Sequence, residues 1–293
     1  MSSIAIASLN VYPVKSCAPT ALETATLTEF GIEHDRERMV VGENGQPFTQ
    51  RNHPALALVR PSLGEGVLTL QAPGMEQLEL PLARDPDAEV VPVNLWNKPG
   101  TGTDQGAEAS GWFSDYLGKT ARLLAVSQSR LIKPECRVAG ASERTAFADG
   151  FPFLLTSVSS LEDFNTHLPQ PIPMDRFRPN IVVSGAPAYA EDRWRTVRLG
   201  GLHAFVVRAC ARCSIPNIAQ TPNIDQEAGV LPQERPVSAE LRRSRQGIDP
   251  ISDTKEVFFG QNLTHVFEPG LAIHVGDPVE VIVQAAGRNW RPL

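Results

Sequence analysis

Cysteine is scarce in this chain: four thiols, Cys17, Cys136, Cys210 and Cys213, in 293 residues. So few cannot staple a chain of this length, so no disulfide framework is expected and a reducing compartment is the default. Long apolar runs are also missing. No segment approaches the ~20 residues needed to span a bilayer. The opening Met1-Ser2-Ser3-Ile4-Ala5-Ile6 has no basic, apolar or arginine-rich leader, so a cytoplasmic protein is expected. Excess positive charge is absent too: 27 Lys and Arg face 33 Asp and Glu, a net charge of -6. Phosphate backbones need a basic surface, which argues against a nucleic-acid partner and leaves room only for a local basic pocket. The hydrophobic share, 42%, is that of an ordinary globular protein with a full core, in one large domain or two modest ones.

Proline and glycine, 25 and 22 residues, are spread through the whole length and favour short strands joined by turns. The expected fold is therefore mainly β with some α. Ile4 to Val14, Arg38 to Val41, Leu56 to Val59, Val67 to Gln71 and Val90 to Leu95 read as strands of a first, barrel-like unit. Trp112, Phe113, Tyr116 and Leu117 recur at helical spacing. A second helix is signalled by Ser159 and Glu162 at capping-box distance, with Leu161, Phe164 and Leu168 as its apolar stripe and an end near Pro169. Further strands are expected at Asn180 to Ser184, Thr196 to Leu199, Leu202 to Val207, Ala272 to Val275 and Pro278 to Val283. The polar stretch Ala219 to Thr254 reads as a long loop or lid. A boundary falls near residues 125 to 135, giving units 1–125 and 126–293.

Chemistry is concentrated in Arg208-Ala209-Cys210-Ala211-Arg212-Cys213, at the end of a hydrophobic strand. A guanidinium beside a thiol favours the thiolate, the form that attacks electrophiles or ligates soft metals. Structural zinc needs about four ligands, and no second C-x-x-C is present. A dithiol redox pair would open a helix, and Ser214-Ile215-Pro216-Asn217 is poor helix sequence. Spacing alone also permits Cys210 to be a small buried hydrophobe. Three other clusters, Lys15-Ser16, Asp35-Arg36 and Arg176-Phe177-Arg178-Pro179-Asn180, share donors suited to a phosphate or polar heterocycle, although each taken singly is what a solvated turn carries. Asp149 and Asp277 lie in turn sequences. The six histidines show no ligand spacing.

These residues together resemble a family. The chain is similar to the MOSC-domain molybdenum-cofactor proteins preceded by a MOSC N-terminal β-barrel domain, the group that includes the mitochondrial amidoxime-reducing component and its bacterial relatives. The resemblance rests on Val11-Tyr12-Pro13-Val14-Lys15-Ser16-Cys17, Asp35-Arg36, Arg176 to Gly185, Ala190-Glu191-Asp192-Arg193-Trp194, Cys210 to Cys213, Phe259-Gly260-Gln261-Asn262 and Val275-Gly276-Asp277-Pro278-Val279. It implies an N-terminal β-barrel-like domain followed by a MOSC β-barrel domain in a bacterial protein. It implies Cys213 as the molybdenum ligand, with Cys210 structural. Lys15, Ser16 and Arg36 would grip the phosphate end of the cofactor. Arg178, Asn180, Ala211 and Arg212 would contact the pterin and the metal surroundings, and Asp149 is an acidic position near the metal that could help deliver protons. The implied activity is reduction of small N-hydroxylated compounds such as amidoximes, hydroxylamines and N-hydroxylated bases. Electrons would come from a separate donor protein, of ferredoxin or cytochrome b5 type with its reductase. Two other readings stand beside it: a carrier of the cofactor or of sulfur that turns nothing over, and a thiol-disulfide enzyme using Cys210 and Cys213. The run after Cys213 departs from the mitochondrial pattern by opening a longer loop that reaches Gly229, so the resemblance carries no substrate range.

Overall fold

Short amphipathic strands must each bury a face, and in this chain they do so by forming a ring. The computed structural model describes residues 3–95, 98–220 and 235–292. Its largest sheet passes in spatial order through Thr20–Leu22, Ala5–Val11, Ile181–Ser184, Phe153–Ser157, Lys255–His265, Leu202–Ala211, Trp194–Leu199 and Val279–Gln284. All neighbours are antiparallel except Phe153–Ser157 and Ile181–Ser184, which are parallel. The path closes on Ala5–Val11 and leaves Thr20–Leu22 outside the ring. Ala5 bridges Pro278, the Ile6 N–H donates to the Asp277 carbonyl at 2.9 Å, and the Val279 N–H donates to the Ile4 carbonyl at 2.8 Å. The first strand of the chain thus closes a barrel whose other staves all lie beyond residue 150. Its interior is filled by Leu9, Val11, Leu155, Ile181, Val183, Val197, Leu202, Ala204 and Leu263, all fully buried.

The remainder of the first half supplies a four-stranded sheet, ordered Arg38–Gly42, Ala121–Val126, Lys98–Asp104, Val90–Leu95, and a three-stranded meander, Arg60–Leu63, Val67–Gln71, Leu78–Pro81. Helix α1, Ala107–Leu117, joins them. The Asp104 carboxylate accepts from the Gly106 N–H at 2.6 Å at its start, and Gly118, at φ +62°, ends it in the left-handed conformation that glycine adopts without strain. Ala109, Trp112 and Phe113 point inward onto Leu68, Leu70, Leu78, Leu80 and Leu123. The Trp112 indole donates to the Glu76 carbonyl and the Tyr116 hydroxyl to the Ala55 carbonyl, so neither aromatic buries an unpaired polar atom.

Helix α2 covers Val158–Asn165 and helix α3 Pro236–Ser244. No helix among the described residues is long and apolar enough to cross a membrane. Four local expectations change. Leu56 to Val59 is not a strand: Pro54 starts a tight 3-10 turn, Pro54–Leu58, whose Leu56 is buried under the meander. The capping box does not form, because α2 begins after Ser157 and places Ser159 inside the helix, where its hydroxyl donates to the Ala186 carbonyl at 2.7 Å. The expected loop Ala219 to Thr254 contains α3 and the strand Gln246–Ile248, and its residues 221–234 lie outside the described residues. The longest strand among the described residues, Lys255–His265, falls where the sequence pattern predicts none.

Candidate functional site

Five segments remote in sequence meet at one cleft of about 530 Å³, and the nine site residues expected above all line it: Lys15, Ser16, Arg36, Asp149, Arg178, Asn180, Ala211, Arg212 and Cys213. The cysteine strand reaches the cleft by way of an irregularity. Ala209 pairs with Gln261, but Ala211 pairs with Phe258, so the partner strand carries an extra residue at Phe259-Gly260. Gly260 sits at φ +79°, and a Cβ there would meet the Leu155 carbonyl oxygen at 2.8 Å. Such a bulge bends the ladder and re-aims the side chains beside it. Cys210 ends half-buried on the cleft wall and Cys213 is exposed. Cys210 is therefore not the buried hydrophobe that its spacing permits: its sulfur accepts from Arg212 Nη1 at 3.0 Å.

The first strand delivers Tyr12 and then the buried turn Lys15-Ser16. Asp35 fastens this turn to the next, accepting from the Tyr12 N–H at 3.0 Å with one oxygen and from Arg36 Nη1 at 2.5 Å with the other. Arg36 reaches across to the Asn180 side-chain oxygen (3.1 Å) and the Arg178 carbonyl (3.3 Å). The guanidiniums of Arg36 and Arg178 each lie over the Tyr12 ring, 4.3 Å from its centroid. Two like charges thus share one quadrupole, an attraction that offsets part of their mutual repulsion. Asn180 is fully buried and its amide is committed: the oxygen accepts from Arg36 and from the Leu154 N–H, and the nitrogen donates to the Asn10 carbonyl. It acts on the cleft by fixing Arg36.

Backbone strain is concentrated here. Six non-glycine residues among those described have positive φ, and three of them are Ser16 (70°), Arg36 (50°) and Arg178 (57°). Each such conformation costs on the order of 1 kcal/mol and persists only where neighbours hold it.

The charge of the cleft opposes that of the chain. Eight basic side chains line it, Lys15, Arg36, Arg51, Arg130, Lys133, Arg178, Arg208 and Arg212, against the single carboxylate Asp149. Burial pushes Lys15 below its usual range, opposed by Asp149, to which its ammonium donates; it also donates to the Phe147 carbonyl at 2.9 Å. The Asp149 side chain is 72% exposed to the cleft. The protein packed around it works against ionisation, but Lys15, Arg36 and Arg51 outweigh that and hold the carboxyl down at about 2. Arg212 donates to the Phe177 carbonyl at 2.7 Å as well as to Cys210, while its Nε is buried with no partner. Phe177, which carries that carbonyl, is stacked on Phe259 at 3.9 Å. No group of three or more His, Cys, Asp or Glu side chains among the described residues could hold a metal ion on its own.

Six further residues shape the site without a role assigned from the sequence: the cleft cations Arg51, Arg130 and Lys133, and Tyr12, Gln50 and Gln220. Tyr12 stood inside a recognised motif with no function attached. Gln50 and Gln220 had no signal at all, being neutral amides that meet only in the fold.

A family model described as the MOSC N-terminal beta barrel domain matches residues 3–120, and one described as the MOSC domain matches residues 142–280. Mitochondrial amidoxime-reducing component 1 of Xenopus laevis is 32% identical over 289 residues, spanning 94% of this chain and 81% of that protein. The Homo sapiens protein of the same name is 30% identical over 290 residues, spanning 95% and 83%. Mitochondrial amidoxime reducing component 2 of Homo sapiens is 30% identical over 292 residues, spanning 94% and 82%.

Proposed function

The chain belongs to the family that joins a MOSC N-terminal β-barrel domain to a MOSC domain, and from that premise we propose that it is a molybdenum-cofactor-dependent reductase of small N-hydroxylated compounds, working in the cytoplasm with electrons from a separate protein. The observation that carries the reading is the convergence of eight basic side chains and an exposed thiol, Cys213, on one cleft of an otherwise acidic protein.

The residues fit such a cofactor. A basic cleft suits a phosphate-bearing ligand, the orphaned Arg212 Nε is a buried donor awaiting an acceptor, and a thiolate is a soft ligand appropriate to molybdenum. Lys15, Ser16 and Arg36 would hold the phosphate end, Arg178, Ala211 and Arg212 the pterin, and Cys213 the metal. When bound, the cofactor supplies oxygen-atom acceptance, so that two electrons and two protons convert an N–O bond to N–H and release water. The chain's own part is placement. Tyr12 and Asn180 set Arg36 and Arg178 before any ligand arrives, which spares the cost of ordering them on binding. Asp149, ionised at neutral pH, is suited to relaying a proton from solvent at the cleft mouth and not to storing one. The four free cysteines accord with a reducing compartment.

The test is the molybdenum content, by elemental mass spectrometry, of protein purified from a cofactor-competent host, followed by turnover of an aromatic amidoxime with an artificial electron donor. Near-stoichiometric metal with turnover is expected. Metal without turnover of any N-hydroxylated compound would favour a carrier instead, and folded protein without metal would remove the reading. In loaded protein, full activity and an unchanged pH profile in Asp149→Asn would rule out the proton relay.

A further inference from the structure

We infer that the buried amide pair Gln50–Gln220 is a positioning device for the anion seat: it holds Ser16 and Arg178 in place and so sets the affinity of the cleft for phosphate. The inference rests on the reading of the cleft given above and deepens it. The two glutamines are 170 residues apart in sequence, and their exposures are 0% and 3%. Each amide donates to the oxygen of the other, both at 2.9 Å. The second N–H of Gln50 donates to the Ser16 carbonyl at 2.7 Å, that of Gln220 donates to the Ile218 carbonyl at 3.1 Å, and the Gln220 oxygen also accepts from Arg178 Nη1 at 3.3 Å. Every donor of the pair is thus in use, and its two outward bonds to the seat end on Ser16 and Arg178.

Those two residues are where an external hold is needed. Both have a left-handed backbone that side-chain-bearing residues leave unless their surroundings prevent it. The Gln50 bond falls on the carbonyl of the strained serine itself. At Arg178 the Tyr12 ring limits the tilt of the guanidinium plane and Gln220 limits rotation within it. The pair also contributes no charge, so Arg178 keeps its full positive field for a ligand, which an acidic partner would have reduced. Neither glutamine lines the cleft. They act through Ser16 and Arg178 and not by touching a ligand.

A double substitution separates positioning from folding. Removing one amide strands the other in a dry site and destabilises the protein, whereas replacing both with apolar groups of similar size is close to neutral for stability. The full chain, freed of cofactor, is titrated calorimetrically with inorganic phosphate at low salt, and thermal midpoints are recorded beside it. Gln220→Leu, which releases Arg178, and Gln50→Leu, which releases the Ser16 carbonyl, should each weaken phosphate binding about tenfold, the loss of one hydrogen bond that steadies the seat. The double variant should regain most of the thermal midpoint and still bind about tenfold more weakly. Asn289→Ala, which breaks a similar amide contact to Gln261 away from the cleft, should keep wild-type affinity. If the double variant regains phosphate affinity together with its midpoint, the pair is merely structural and the inference is overturned; if a single variant does not fold, the double variant decides alone. If the wild-type chain binds neither phosphate nor the cofactor, the functional reading itself fails and takes the inference with it.

Discussion

Tyr12 places two guanidiniums at one cleft, and substituting it separates the contribution of the ring from that of the hydroxyl. Tyr12 is fully buried; its hydroxyl donates to the Pro179 carbonyl at 3.2 Å, and burial pushes the phenol above its usual range, so it stays a neutral donor at any working pH. Tyr12→Phe removes only that hydrogen bond, at a cost of about 1 kcal/mol. Tyr12→Leu also removes the two ring contacts to Arg36 and Arg178, together about 2 kcal/mol in a desolvated site, and leaves a void worth on the order of 1 kcal/mol. The total for leucine is about 4 kcal/mol, to be read from urea unfolding with unchanged slope. The seat should follow the ring and not the hydroxyl. Phosphate affinity in Tyr12→Phe should match wild type, and in Tyr12→Leu it should fall tenfold or more, because two like charges no longer have a shared counter-surface. Equal phosphate affinity in the two folded variants would refute the reasoning.

Cys213→Ser should abolish molybdenum retention and turnover while Cys210→Ser keeps most of both; equal loss of activity in both variants of a metal-free protein would favour the thiol-disulfide reading instead. Asp149, held at about 2 against an ordinary 3.8, contributes its link to Lys15 in full above the ordinary value and loses it as pH falls through about 2. A carboxyl resonance for Asp149 that titrates near 4 by NMR would contradict this. Glu191 has the opposite sign. Burial raises its carboxyl to about 7, against the opposing hydrogen bond from Ser160 and with the help of neighbouring Asp192, and its Oε2 has no partner. Folded protein then holds a proton that the unfolded chain has released, so stability falls as pH rises from about 4.5 to 7, by up to about 3 kcal/mol. Glu191→Gln should flatten that dependence, seen as thermal midpoints at pH 5 and pH 8 drawing together.

Where a single period or a short turn decides the structure, the sequence was readable. Helix α1 announced itself through Trp112, Phe113 and Tyr116, and the strands at Val67–Gln71 and Val90–Leu95 alternate cleanly. Lys255–His265 did not, because much of it is buried on both faces and Gly260 breaks its period at the bulge. Lys15, Arg36, Arg178 and Arg212 were legible because they stand inside extended family motifs, whereas the cleft cations Arg51, Arg130 and Lys133 lie outside any motif and join the site only in the fold. Gln50 and Gln220 were not, since a neutral amide has no local signature and their importance exists only once the fold brings residues 50 and 220 together. Asn180 was noticed as a donor to a ligand, yet in the fold its amide serves Arg36 and the backbone.

The closure of the barrel by Ala5–Val11 bears on how this chain can be made and divided. The first stave to leave the ribosome must wait for its ring neighbours, synthesised more than 170 residues later, so the barrel is a high-contact-order structure that requires a long loop closure. Until then the Ile181–Ser184 edge stands open to pairing with other molecules, a hazard for aggregation. A fragment that starts with the second family match at residue 142 and runs to residue 292 keeps Val279–Gln284 but lacks that first stave, and should be rescued in trans by a peptide covering residues 3–14. The second unit thus shares its barrel with the start of the chain: shuffling residues 126–293 onto a new partner would carry away a barrel with one stave left behind.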